Sequence, residues 1–126
     1  MPRNRASAKS AGARFERHIA DYLAQALGDD RIDRRVKTGA RDRGDIAGLR
    51  IHGQRLVAEL KNCQRLDLPR WTREAALEAR NDDALTGVVI HKRHGVGDPA
   101  QQWVTMTVEQ FVALVSGEKP TLTRPC

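Results

Sequence analysis

The sequence predicts an α/β domain with a mixed central β-sheet flanked by helices, in the order αβββαββα. Apolar residues recur at helical spacing in three segments, which begin near residues 12, 68 and 107. Between these segments lie an early pair of strands joined by a tight link and a later strand–helix–strand pattern. A hairpin is antiparallel and a strand–helix–strand crossover joins parallel strands, so a sheet that contains both is mixed.

The N-terminal part divides into an arm and a first helix. Residues 1–11 are small, polar and basic, which predicts a disordered arm ahead of a single domain over residues 12–126. The first helix begins near Gly12 and ends at Gly28. Its apolar face is formed by residues at helical spacing, namely Phe15, Ile19, Tyr22 and Ala26.

Three strands are predicted after this helix. The first is a weak, polar strand over residues 31–37, and a glycine-containing loop follows it. The second and third cover about residues 45–51 and 54–62. Because the link between them is so short, they are expected to form an antiparallel hairpin.

The second half of the chain returns to alternating helices and strands. A helix is predicted over residues 68–81. Its second residue is a proline, which a helix tolerates in its first turn. Residues 87–91 form a continuous apolar run typical of a strand covered on both faces, and residues 102–106 are predicted to be another strand. Thr107 then caps a last helix. The side chains of this helix predicted to face inward are Phe111, Leu114 and Val115.

The composition indicates a polyanionic partner. Lysine and arginine number 22 against 16 acidic residues, which gives a net charge of +6. Such a balance favours nucleic acid first and an anionic membrane second, although the charge could also serve solubility alone. No run approaches membrane-spanning length, so no membrane contact is expected.

The two cysteines, Cys63 and Cys126, do not have the spacing of metal ligands, so no zinc is expected. A disulfide between them is not indicated either. Because the N-terminus also lacks the apolar core of a signal peptide, a reducing cytoplasm is the expected compartment.

The predicted hairpin carries charged residues that strands usually lack. Alternation places Val57, Glu59 and Lys61 on one face, with the Cα atoms of Glu59 and Lys61 about 7 Å apart. Asp45 opens the partner strand, where a bend would bring its carboxylate towards Glu59. Paired carboxylates suit a hard divalent cation such as Mg²⁺. A lysine beside them can orient or deprotonate a water, or neutralise charge on a phosphate.

Each of these residues also has an ordinary structural interpretation. A half-exposed strand often carries Glu and Lys on its wet face, as a solvated pair of little energetic value. Glu16 projects at the edge of the apolar face of the first helix. An acid in a first turn is a common complement to the helix macrodipole.

Together, these segments resemble a nuclease family. Asp45 and the run Glu59-Leu60-Lys61 resemble the (P)D…(D/E)xK signature of the restriction-endonuclease-like nucleases. More closely, the helix start GARFER, the segment RGDI and the strand VAELKN are similar to the archaeal-type Holliday junction resolvases and their phage-encoded relatives. The similarity extends over about residues 12–93.

The resemblance implies a restriction-endonuclease-like core and an Mg²⁺-dependent nuclease site, with Mn²⁺ as a substitute. By matching positions, Asp45 and Glu59 would be metal ligands and Lys61 the catalytic lysine. Glu16 would be a further catalytic acid, carried on the first helix, that holds the metal or its water.

Two positions depart from the family pattern. Gly44 stands where a proline usually precedes the aspartate. Glu74 stands where many relatives carry a glutamine on the helix, so no role is assigned to it.

Basic residues crowd the segment that leads into Asp45. A solvated face is the usual explanation of such a run, but its position next to the expected site favours contacts to phosphate. The end of the strand over residues 87–91 adds basic residues that resemble those at the same place in the family. The residues predicted to bind DNA are Arg17, Arg34, Arg35, Lys37, Arg41, Arg43, Lys92 and Arg93.

Three functions compete on this evidence. The first is an Mg²⁺-dependent, structure-selective DNA endonuclease that resolves four-way (Holliday) junctions as a homodimer, whose two-fold symmetry would match that of the junction. The second keeps the fold but cuts other branched or duplex DNA, as a restriction-like, repair or flap nuclease. The third is a basic DNA-binding module without catalysis. The presence of all four catalytic-type residues favours a nuclease.

Overall fold

The computed structural model describes residues 4–36 and 42–120. The helices are α1 (Arg5–Leu27), α2 (Leu68–Asn81) and α3 (Val108–Ser116). The strands are β1 (Asp33–Arg34), β2 (Ile46–Ala47), β3 (Arg50–Ile51), β4 (Gln54–Lys61), β5 (Thr86–His91) and β6 (Trp103–Thr105), with a 3₁₀ turn at Pro99–Gln101. In this part of the chain, no helix combines the length and the apolar character that crossing a bilayer requires.

A four-stranded sheet in the order β3-β4-β5-β6 forms the centre of the molecule. Strand β4 pairs antiparallel with β3 and parallel with β5, and β5 pairs antiparallel with β6. The parallel pair places Glu59 opposite Val89 and Lys61 opposite His91. The predicted α/β class with a mixed sheet is therefore confirmed.

The segment predicted as one strand over residues 45–51 is broken in two. Gly48 has a φ of +89°, and a Cβ built there would lie 2.4 Å from the carbonyl oxygen of Arg31. The chain turns at this glycine, so β2 pairs with β1 in a separate two-stranded sheet while β3 forms the hairpin with β4. The prediction of a single strand is wrong, and the described chain has one strand more than the predicted order.

The helix α1 begins seven residues earlier than predicted. Asn4 caps it, because its side-chain oxygen accepts a hydrogen bond of 2.8 Å from the backbone N–H of Ser7. The turns that follow are rich in alanine, which has the highest helix propensity. The prediction of a disordered arm is therefore wrong for residues 5–11, whereas residues 1–3 lie outside the described residues.

Strand β4 has a helix on each of its faces. Ala58 and Leu60 belong to the main apolar core, which includes Phe15 and Ile19 of α1. Val57 points the other way and packs with Ala79 of α2. The sheet is therefore enclosed between α1 on one side and α2 on the other.

The helix α2 has the predicted bounds and lies directly on β5. Trp71 and Ala75 pack against Val89. Gly87 of β5 permits this close approach, because a Cβ built there would lie only 2.4 Å from the carbonyl oxygen of Ala75. Any side chain at this position would therefore push α2 away from the sheet.

The predicted inward side of the helix α3 is correct in part: Leu114 packs against the main core, whereas Phe111 and Val115 do not. Thr107 caps it as predicted, and the side chain of Gln110 completes a capping box. Gln110 also donates a hydrogen bond of 3.0 Å to the carbonyl of Thr72, and this contact turns it inward together with Ala113. Phe111 and Val115 are consequently 54% and 67% exposed, so their predicted inward orientation is wrong.

Candidate active site

Asp45 is held in place by strand β4. Its backbone N–H donates to the carbonyl of Ala58 at 3.0 Å, and its Oδ2 accepts a hydrogen bond of 2.8 Å from the N–H of Leu60. Its side chain is buried, with 3% exposure. Gly44, just before it, has a φ of +92°, a conformation that proline cannot adopt because its ring fixes φ near −65°. This explains why a glycine stands where the nuclease pattern that the sequence resembles has a proline.

Glu59 lies on the face of β4 that α2 covers. Its side chain is only 5% exposed. Its carboxyl lies within hydrogen-bond reach of the carboxyls of both Asp45 and Glu78. The structure thus brings Asp45 and Glu59 together, and the alternative of a solvated wet-face pair is wrong for Glu59.

Glu78 of α2 is a site residue that sequence analysis missed. It is 2% exposed, and both of its carboxylate oxygens are buried without a hydrogen-bond donor in the described part of the chain. Oxygen atoms of Asp42, Glu59 and Glu78 all lie within 4.8 Å of one another. A signal for Glu78 was present, because Trp71, Ala75 and Glu78 occupy one helical face at spacings of four and three residues.

Burial dominates the electrostatics of this acidic cluster. Burial raises the pKa of Glu59 far above its ordinary value, and the adjacent carboxyls of Asp45 and Glu78 raise it further. Burial also raises the pKa of Glu78, although the adjacent carboxyl of Glu59 acts in the opposite direction. Without a cation, Glu59 therefore keeps its proton.

Lys61 projects from β4 beside Glu59, but its ammonium is bound to α2. Its Nζ donates a hydrogen bond of 2.8 Å to Glu74, which also accepts one of 3.0 Å from Arg70. Burial acts to lower the pKa of Lys61, but the hydrogen bond to Glu74 and the charge of Glu74 outweigh it, so the pKa is raised. Lys61 is therefore a cation at neutral pH.

Glu16 is not part of this cluster. Its Oε1 accepts a hydrogen bond of 3.1 Å from Nη2 of Arg34, and the two side chains form an ion pair. The helix that carries it packs on the Ala58 and Leu60 face of β4, opposite to the face from which Glu59 projects. The structure thus does not bring Glu16 to the cluster in the role expected from the sequence, and Glu78 comes from α2 instead.

Most of the described residues predicted to bind DNA have partners within the chain. Arg17 pairs with Asp21 and Asp33, and Arg35 pairs with the buried Asp82. Arg17, Arg34 and Arg35 nevertheless line one groove of about 710 Å³ together with Lys9 and Glu16. Three of the arginines predicted to bind DNA therefore line a single groove.

The remaining predicted basic residues are more dispersed. Lys92 donates its amine protons to the carbonyls of Arg93 and Val96, so it stabilises the loop after β5. The Arg93 guanidinium lies 4.7 Å from the ring centre of Trp103. Arg43 is exposed, while Lys37 and Arg41 lie outside the described residues.

Comparisons of the chain with family profiles, with curated proteins and with solved structures found no match.

Proposed function

We propose that the protein is a divalent-metal-dependent DNA endonuclease. The observation that carries the proposal is the buried convergence of Asp45 and Glu59 next to the Lys61 cation. Burying ionisable groups at the end of a strand costs several kcal/mol, a cost that apolar side chains at the same positions would not carry. Perturbed acids grouped beside a lysine are more readily explained by chemistry than by packing.

The residues fit a hard divalent cation. The oxygens of Asp42, Glu59 and Glu78 are within 4.8 Å of one another, and the carboxyl of Asp45 is also adjacent to Glu59. Carboxylates alone, without thiol or imidazole, favour Mg²⁺ or Mn²⁺ over softer metals. When bound, such an ion supplies charge that activates water and polarises a phosphate.

Lys61 has an electrostatic role in this proposal. Its raised pKa keeps it as an ammonium, so it acts on developing negative charge at the phosphate rather than as a base that deprotonates water. Glu74 holds the amine in place through the 2.8 Å hydrogen bond. A fixed cation of this kind needs little reorganisation during the reaction.

DNA is the substrate class that fits the charge of the chain. The net charge of +6 and the groove lined by Arg17, Arg34 and Arg35 favour contacts to phosphates. Arg17 and Arg34 are surface residues whose acidic partners could be exchanged for phosphate. Among DNA substrates we propose four-way junctions, cut by a homodimer, because of the resemblance of the GARFER, RGDI and VAELKN segments.

The test is cleavage of four-way, flap and linear duplex DNA in Mg²⁺ by the wild-type protein and Lys61→Ala. Removing one preorganised electrostatic partner commonly costs about 10²–10³ in rate, so Lys61→Ala should lose cleavage to that extent. Its affinity for DNA in Ca²⁺ should stay close to wild type. Lys119→Ala is the control, because this lysine pairs with Asp83 instead.

The outcomes separate the competing functions. Preferred cleavage of flap or linear DNA would mean that the protein is a nuclease whose substrate is not the four-way junction. Binding without cleavage in Mg²⁺ or Mn²⁺ would identify a DNA-binding module. Cleavage by Lys61→Ala at the wild-type rate would show that Lys61 has no role in the reaction.

A further inference from the structure

Glu78 is buried in a way that a structural role does not explain. Its side chain is 2% exposed, and neither carboxylate oxygen receives a hydrogen bond from a donor in the described residues. Its close neighbours are other carboxyls, those of Glu59 and Asp42. A buried acid without a donor is destabilising, and packing alone would be served better by an apolar side chain.

The loop before Asp45 brings Asp42 to the same place by specific contacts. Its Oδ1 accepts a hydrogen bond of 3.0 Å from the N–H of Gly44. Its carbonyl oxygen accepts one of 2.8 Å from the side chain of Asn81, in the last turn of α2. Asp42 is thus tied to the helix that carries Glu78, which lies about one turn before Asn81. Because Asp42 is exposed, the cluster is open to solvent on this side.

We propose that Glu78, Glu59 and Asp42 together bind a hard divalent cation, so that α2 rather than α1 supplies the helix-borne ligand of the metal site. The three carboxyls come from α2, β4 and the loop before β2, and their oxygens are already within 4.8 Å of one another. An ion there removes the repulsion among the carboxylates and satisfies the oxygens of Glu78. The role of this ion in cleavage rests on the proposed function, whereas its binding does not.

Binding of Mn²⁺, followed by calorimetry or by its paramagnetic resonance signal, tests the proposal without DNA. The wild-type protein should bind Mn²⁺, and Glu78→Gln should weaken binding by at least about tenfold, since even residues that only support ligands cost about 10–100-fold. Asp42→Asn should weaken it as well. Because Asp42 is exposed, this variant is expected to fold even if Glu78→Gln is perturbed.

Two controls define what counts as a failure. Glu118→Gln removes the same charge from an exposed loop residue and should bind Mn²⁺ like wild type. Glu16→Gln should also bind like wild type, since Glu16 is engaged with Arg34. Wild-type affinity in both Glu78→Gln and Asp42→Asn, or a loss confined to Glu16→Gln, would overturn the proposal.

The melting temperature is a second measurement, and it distinguishes a metal-binding Glu78 from a purely structural one. At the same concentration, added Mn²⁺ should raise the Tm of wild type more than that of Glu78→Gln, whereas in EDTA this variant should melt no earlier than wild type. A lower Tm in EDTA together with wild-type Mn²⁺ binding would mark Glu78 as structural. Wild-type Mn²⁺ binding by both Glu78→Gln and Asp42→Asn, in a protein that cleaves DNA in Mg²⁺, would overturn this inference alone. Glu78-dependent Mn²⁺ binding without cleavage would overturn the nuclease alone.

Discussion

The two faces of β4 are equally well buried and chemically opposite. Towards α1, Ala58 and Leu60 are 0% and 6% exposed and lie in an apolar core. Towards α2, Glu59 is 5% exposed and lies among other carboxyls. Burial by itself therefore does not distinguish a core from a site. The distinction comes from what is buried, since apolar area stabilises the fold and buried charge destabilises it.

The buried acid of the α2 face of β4 lies in the C-terminal half of the strand. Val57 on this face is fully buried against Ala79 and Ala84. Two residues further on, the same face carries Glu59 and then Lys61. One strand thus passes from ordinary packing to a cluster of ionisable groups within a single helix–sheet interface.

The largest effect on stability is expected from truncating the apolar face. Leu60→Ala removes a buried side chain from the core and should lower the free energy of unfolding by about 2–5 kcal/mol. Glu59→Gln, the neighbouring substitution on the other face, should lower it little or not at all in EDTA, because it removes a buried ionisable group. Urea denaturation of both variants measures the contrast. Comparable losses would mean that the two faces contribute alike.

A change of one pH unit is expected to have a smaller effect on the free energy of unfolding. Burial and the neighbouring carboxyls raise the pKa of Glu59 above 4.5, and burial also raises that of Glu78. Above pH 4.5 these groups ionise in the unfolded chain while they remain protonated in the folded one. The contribution of these two groups to the free energy of unfolding should therefore be highest at low pH. It should fall as pH rises, by up to about 1.4 kcal/mol per pH unit for each group.

Urea denaturation in EDTA between about pH 5 and pH 8 measures this dependence. The double variant Glu59→Gln with Glu78→Gln should show a flatter dependence, and Leu60→Ala should keep the wild-type slope at a lower stability. A wild-type slope in the double variant would place the titrating groups elsewhere.

The smallest effect is expected at the ion pair that holds Lys61. Glu74→Gln should lower the pKa of the Lys61 amine, because the charged acceptor is lost while burial remains. Since both side chains are partly exposed, the stability change should be about 1 kcal/mol or less. NMR titration of the Lys61 side chain measures the pKa. Arg70→Gln, which removes the other partner of Glu74, should leave the pKa of Lys61 nearly unchanged.

The parts of the fold with strong local signals could be predicted from the sequence. The bounds of α2 follow from its proline, its apolar spacing and Asp67 at its N-cap. The face shared by Glu59 and Lys61 follows from strand alternation, which no tertiary contact alters. The mixed sheet follows from the order of the elements.

The remaining features depend on contacts between distant segments. The split at Gly48 depends on Arg31, and the orientation of α3 depends on the contact of Gln110 with Thr72. The placement of Glu78 in the cluster required knowing that α2 covers the same face of β4 from which Glu59 projects. A helical pattern shows that Glu78 is on an apolar face, but it does not show what lies opposite.

The close contact at Gly87 would affect ion size at the proposed metal site. Without a side chain there, α2 approaches β5 until the backbone of Ala75 touches it, and this sets how far Glu78 lies from Glu59. Mg²⁺ binds oxygens at about 2.0–2.1 Å, whereas Ca²⁺ binds them at about 2.3–2.6 Å. The separation of the two carboxyls decides which of these radii they can match. A glycine that touches no ligand would in this way select among cations, through the distance at which it lets a helix rest on a sheet.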